Sequence, residues 1–296
     1  MKAQLILESR VPLIEPAVEF VKSFGLKAGL TKEEAVELAL CADELLTDVV
    51  RFAFPEEVGK FVLTLEATPS QVELIGFFGE AITVHTISQR VNAKFGFKST
   101  ALMLGTFPEA RIVGIREDYG QRISVVIDFL HLIKKEKAEV YLPKEYLKIL
   151  KEIYQNMGIE VVNKREKRTE LPKTSKVELS VNFPMGTAVI VVERSGQDLK
   201  ERVDRKVKKL FSSGVEVVYA DLPLDRAETK RAVKVLRELG FVFSGLVPLF
   251  HRERDYLRLQ KIKGNYDFKK IELYSEMAKK IAKRVKRELN EVAQER

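Results

Sequence analysis

The sequence predicts a mixed α/β (α+β) protein of more than one domain, with a helix, helix, hairpin unit in front, mixed-sheet α/β units behind it and a C-terminal helix. Three observations carry this. The 296 residues exceed the usual size of one domain. Apolar residues make up 45%, a globular proportion. Beyond residue 176, short β-type runs alternate with segments of helical period, the pattern of an α/β layer.

The elements follow in order. Gln4 to Leu7 reads as a strand. Val18, Val21 and Phe24 keep a helical period, and Pro16 suits the first turn of that helix, where its missing N–H is tolerated. Thr31 and Glu34 have the spacing of a capping box. Leu38, Ala42, Leu45, Val49 and Phe52 then run down one face of a long helix that Pro55 closes. Phe61 to Ala67 and Val72 to Ile75, around Pro69-Ser70, predict a hairpin. Further on, Ser88 to Phe95 and Lys144 to Met157 are helices stopped by Gly96 and Gly158. Lys176 to Phe183, Thr187 to Glu193 and Val215 to Leu222 are strands, with a helix between the last two and another at Ala227 to Leu239.

The expected segments are 1–78, 79–162, 176–262 and 263–296. Charge and Pro172 mark 163–176 as the linker. One internal repeat is visible: residues 88–106 and 232–250 each close a helix on Phe95-Gly96-Phe97 or Leu239-Gly240-Phe241 and continue in a strand through Leu102 or Leu246. On the pattern alone, duplication and coincidence both stand. Ile271, Tyr274, Met277, Ile281, Val285, Leu289 and Val292 predict one amphipathic helix from Phe268 to the C-terminus, docked on its own domain or offered to a partner.

Composition excludes several functions. No apolar run is long enough to span a bilayer, and Met1-Lys2-Ala3 opens no signal peptide. The single Cys41 excludes an internal disulfide, and His85, His131 and His251 have no metal-ligand spacing. A cytoplasmic protein without structural zinc is expected. The net charge of +8 sits largely in residues 164–168 and the C-terminal tail, without interleaved aromatics, so it reads as solvated surface and not as a nucleic-acid interface. The 32% of charged residues, rich in Lys and Glu, fits a thermophile.

Glu44 and Asp48 stand four residues apart and so share one face of their helix, a pair of carboxylates able to hold Mg²⁺. They also belong to a polar stripe with Glu37, Cys41 and Arg51, which reads equally as a solvated face.

The run Glu44-Leu45-Leu46-Thr47-Asp48 with Phe52-Ala53-Phe54 resembles the Asn-bearing helix of the anti-sigma-factor and serine-kinase branch of the histidine-kinase-like ATP-binding domains. The resemblance implies Glu44 as the catalytic carboxylate and Asp48, in place of the family's Asn, as the Mg²⁺ and nucleotide ligand. It covers about residues 5–75. The family's adenine-reading Asp-x-Gly is replaced by Gly76-Phe77-Phe78-Gly79, and no glycine-rich lid follows.

Gly79 to Arg90, Gly96-Phe97 and Leu104-Gly105-Thr106-Phe107-Pro108, then Asp221-Leu222-Pro223-Leu224 and Leu239-Gly240-Phe241, resemble parts of GNAT-type acetyltransferase domains found fused to such ATP-binding domains. That resemblance implies an acetyl-CoA site whose pyrophosphate rests on an Arg/Gln-x-x-Gly-x-Gly/Ala turn at a helix N-terminus. The chain lacks this turn. The functional expectation is a regulatory protein of anti-sigma descent that acts on a protein partner, with a weak or lost ATP site and no acetyl-CoA site. A GNAT-type N-acetyltransferase and a non-catalytic interaction protein are the alternatives, and a homo-oligomer is compatible with each.

Overall fold

The computed structural model describes residues 2–8, 10–48, 50, 60–68, 71–109, 119–132, 135–165, 170–251 and 254–294. It is a mixed α/β structure in two compact units, one comprising Met1–Ile82, Thr86–Lys98 and Ile127–Lys135, the other Thr83–His85, Ser99–Val126 and Glu136–Arg296.

The first unit holds β1 (Lys2–Glu8), α1 (Ile14–Ala28), α2 (Lys32–Asp48), β2 (Lys60–Thr68), β3 (Gln71–Ile82) and α3 (Ile87–Lys94). β2 pairs antiparallel with both β1 and β3. Thr31 and Glu34 form the expected capping box: Glu34 N–H donates to Thr31 Oγ1 at 3.2 Å and Thr31 N–H to Glu34 Oε2 at 2.8 Å. The buried face of α2 is Ala35, Ala39, Ala42 and Leu46, and Val50 beyond its end is buried too. Of the expected stripe, Ala42 lies on this face and Leu38 is only partly buried, while the side chains of Leu45, Val49 and Phe52 fall outside the described residues. Ile14, Val21, Phe24, Leu46, Leu63 and Phe77 form the core beneath.

β3 runs unbroken through the expected segment boundary at 78–79. A Cβ on Gly76 would meet Leu130 O at 2.6 Å, and one on Gly79 would meet Asn92 Nδ2 at 2.8 Å. Both glycines therefore admit close neighbours, the C-terminal half of β5 (Ile123–His131) and α3.

The second unit adds β4 (Lys98–Phe107), β6 (Lys137–Val140), α4 (Leu147–Asn156), β7 (Glu160–Asn163), β8 (Lys176–Asn182) and β9 (Thr187–Arg194). It continues with α5 (Leu199–Ser212), β10 (Val217–Pro223), α6 (Thr229–Glu238), β11 (Val242–His251), β12 (Arg254–Ile262) and α7 (Glu276–Gln294). Its strands lie in the order β4-β11-β12-β10-β9-β8, and β6 pairs with β7 in a separate parallel ribbon. β9 and β10 are parallel. Their nearly continuous apolar sequence follows from cover on both faces.

The internal repeat has a shared topology. β3-α3-β4-β5 and β10-α6-β11-β12 are both strand, helix, strand, strand in chain order, and in the second β12 lies between β10 and β11. Gly96 (φ 90°) and Gly240 (φ 78°) end the two helices in the left-handed region that a side chain disfavours.

β11 meets β4 through few backbone pairs, at Gly245 and Ala101. A Cβ on Gly245 would stand 2.3 Å from Thr100 O, so only glycine fits. The buried Gln260 supplements this joint. Its Oε1 accepts from Leu104 N–H at 2.8 Å, and its Nε2 donates to Leu102 O at 3.1 Å and Phe243 O at 3.0 Å.

The C-terminal helix is shorter than expected, beginning at Glu276 and not at Phe268. Residues 268–270 form a single 3₁₀ turn, and Ile271 is extended. Glu272 N–H donates to Thr83 O at 2.7 Å, which commits this stretch to non-helical backbone. Ser275 then caps α7, its Oγ accepting from Ala278 N–H at 3.0 Å. Met277, Ile281 and Val285 are buried, so α7 docks on its own unit.

Candidate functional site

Glu44 and Asp48 both lie on α2, one turn apart, and Asp48 is its last residue. Their side chains fall outside the described residues, as does Phe52. Glu37 and Cys41, from the same polar stripe, are exposed. Phe77, which the resemblance puts in the approximate place of an adenine-reading Asp, is 1% exposed and belongs to the apolar core. Among the described residues no group of His, Cys, Asp and Glu could hold a metal ion.

In the second unit, the crevice beyond the C-terminal ends of parallel strands is where open α/β sheets usually bind ligands. Pairing of β9 with β10 stops at Val191 and Asp221, although the strands continue to Arg194 and Pro223. α5 begins just beyond, and its N-terminal turn is the local counterpart of an anion-binding turn. The loop that leads into that turn, ahead of the N-cap Asp198, is hydrogen-bonded to the chain itself. Gly196 N–H donates to Ser175 Oγ at 2.8 Å, and Gln197 N–H to Pro172 O at 2.9 Å. Ser175 N–H in turn donates to Asp198 Oδ1 at 2.6 Å. These Ser175 contacts hold the Asp198 carboxyl below the usual carboxylate range. A Cβ on Gly196 would lie 2.6 Å from both Ser175 N and the Thr174 carbonyl carbon. The remaining cavity, between Leu171, Pro172, Arg194, Glu228 and Arg231, measures about 50 Å³. Ligand pockets run to roughly 300–1,000 Å³.

Beside the crevice lies a buried charge cluster. Arg258 grips Asp221 with both arms, Nε to Oδ1 at 2.7 Å and Nη2 to Oδ2 at 2.6 Å. Asp221 is fully buried and Arg258 is 2% exposed. The guanidinium also stacks over the rings of Phe250 at 4.9 Å and Tyr219 at 5.5 Å. His251 Nε2 stands 3.0 Å from Asp221 Oδ2. Burial pushes the Asp221 carboxyl up, but Arg258 and His251 outweigh it and hold the group below its ordinary value. Asp221 is therefore a neutralised anion and not a poised general base. The Tyr256 hydroxyl nearby is buried without a hydrogen-bond partner among the described residues, and burial first, then Glu193, raises its pKa. No Ser, Thr or Cys side chain among the described residues hydrogen-bonds His251, so the pair lacks a nucleophile to activate.

Sequence reasoning quoted Asp221 only within a motif and missed Arg258. The usable signal was a charge inside an apolar strand, Tyr219-Ala220-Asp221-Leu222 and Tyr256-Leu257-Arg258-Leu259, because a buried charge demands a partner. No helix of the described residues is long and apolar enough to cross a membrane. No protein-family model matches the chain, and no curated protein matches it.

Proposed function

We propose that this chain is a non-catalytic regulatory protein that acts by binding another protein, on a framework derived from nucleotide- and acetyl-CoA-binding domains. The observation that carries the reading is the loop leading into α5, where the Gly196 and Gln197 N–H groups, placed to meet an anion at the helix start, are hydrogen-bonded to Ser175 and Pro172. The core position of Phe77 supports the same reading for the ATP-like unit, since an apolar side chain there offers adenine no hydrogen bond.

Isothermal titration with acetyl-CoA tests the proposal. No heat of binding is expected at micromolar concentrations. A saturable signal there would favour the acetyltransferase reading, for which the parting of β9 and β10 is the specific support.

A further inference from the structure

Two helices of the second unit, α4 and α7, flank a groove of about 650 Å³ that no part of the described chain fills. Its walls follow the helical repeat. On α4, Lys148, Ile149 and Glu152 form one ridge, with Glu145 in the turn just ahead of the helix, and on α7 Lys280, Lys283, Arg284 and Arg287 form the other, at steps of three and four. Such paired ridges seat a third helix.

The charge of the groove is uneven. Lys280 is taken by Glu152 at 2.9 Å, and Arg284 by Glu288 at 2.6 Å. Lys148, Lys283 and Lys286 line the same groove with no ion pair among the described residues. The groove thus presents unbalanced positive charge around the half-buried Ile149.

We infer that this groove binds an acidic amphipathic helix of a partner protein, an inference that rests on the protein-binding reading above. Carboxylates one turn apart on the partner reach Lys148 and Lys283, and an apolar residue between them covers Ile149 and the lysine stems. Nucleic acid is disfavoured because Glu145 and Glu152 stand in the wall facing its phosphates and, among the described residues, no aromatic side chain lines the groove for stacking. A membrane surface is disfavoured because the apolar face of α7, Met277, Ile281 and Val285, is already buried. The stretch from Lys280 to Asn290 is about 15 Å long, which accommodates roughly three turns of an occupant.

The test is fluorescence anisotropy with a labelled peptide of about three helical turns, bearing glutamates at i and i+4 around one leucine. A single-stranded oligonucleotide of similar charge and the Lys-for-Glu version of the peptide serve as comparisons. Saturable binding of the acidic peptide is expected, weakening as salt rises. The charge-reversed variant K148E/K283E should weaken it by about tenfold while melting like the wild type, since neither lysine supports the fold through an ion pair. Failure of the acidic peptide to bind, equal binding of the basic peptide, or an oligonucleotide that binds as tightly and loses affinity in the same variant overturns the inference. Acetyl-CoA binding would instead overturn the non-catalytic reading and leave the groove result standing, so the two failures are distinguishable.

Discussion

Ser175 and Asp198 lock a connecting segment onto a helix N-terminus: the Ser175 N–H donates to Asp198 Oδ1 at 2.6 Å, while its hydroxyl accepts from Gly196 N–H at 2.8 Å. Ser175→Ala removes that acceptor and leaves the buried Gly196 N–H unpaired, which costs about 1–3 kcal/mol. Gly196→Ala is expected to cost more, because the new Cβ would strike backbone and not a movable side chain. Limited proteolysis should show faster cleavage between 163 and 176 in both variants. Unchanged cleavage and melting would mean that the segment is not held by this turn. Asp198 adds a pH signature. Its folded pKa is lowered, so its contribution is present above the unfolded carboxylate value and is lost as pH falls through the folded one. The melting difference between wild type and Asp198→Asn should therefore shrink on acidification.

The Asp221–Arg258 pair is expected to be asymmetric under mutation. Arg258→Ala strands a fully buried carboxylate and should destabilise by about 3–5 kcal/mol in urea unfolding. The double variant Asp221→Leu with Arg258→Met removes both charges and should recover most of that loss. A double variant as unstable as Arg258→Ala would show that the cluster matters through packing and not charge. Asp221 also has a lowered pKa, so its share of stability is present at neutral pH and is lost towards acid.

What could be read from the sequence divides along physical lines. Gly96, Gly158 and Gly240 ended their helices as expected, and Thr31 with Glu34 capped α2, because caps and left-handed turns are decided within a few residues. Asp221 and Arg258 are 37 residues apart, and nothing local couples them. On α2, Ala35 and Ala39 join the expected Ala42 on the buried face, because alanines weigh little in a hydrophobic pattern yet mark where helices come close. The start of α7 was misplaced because Ile271 and Tyr274 continue the helical period through a stretch whose backbone is hydrogen-bonded elsewhere. For Glu44 and Asp48 the spacing established a shared helix face and nothing about a ligand.

The nucleotide question has a direct test. Neither the wild type nor Asp48→Asn is expected to gain melting temperature with Mg·ATP at millimolar concentration. A shift in the wild type that disappears in Asp48→Ala would reinstate the nucleotide site. Phe77→Asp, which supplies the kind of residue that the resembled ATP-binding domains carry near this place, should not create a site. It places a charge in the apolar core and should destabilise by at least about 3 kcal/mol.

Glu288 is the polar fastening of α7, and its removal reports on both the fold and the groove. Its Oε2 accepts from Phe243 N–H at 2.7 Å and from Tyr146 Oη at 3.1 Å, while Oε1 accepts from Arg284 Nε at 2.8 Å. Burial first, then Glu288, raises the Tyr146 hydroxyl pKa, which keeps it a neutral donor at any working pH. Tyr146→Phe deletes one donor and leaves the carboxylate two others, so a loss of about 1 kcal/mol is expected. Glu288→Ala leaves the buried Phe243 N–H and Tyr146 hydroxyl unpaired together and should cost about 2–4 kcal/mol. Glu288→Gln should fall between them, because a single amide oxygen cannot serve donors on both sides and its NH₂ then faces one of them. Hydrogen exchange checks the location: amides of α7 should exchange faster in Glu288→Ala than those of β9 and β10. If all amides accelerate equally, α7 opens only with the whole unit. If α7 loosens selectively, its groove wall moves with it, and the acidic peptide should bind Glu288→Ala more weakly although Lys148 and Lys283 remain.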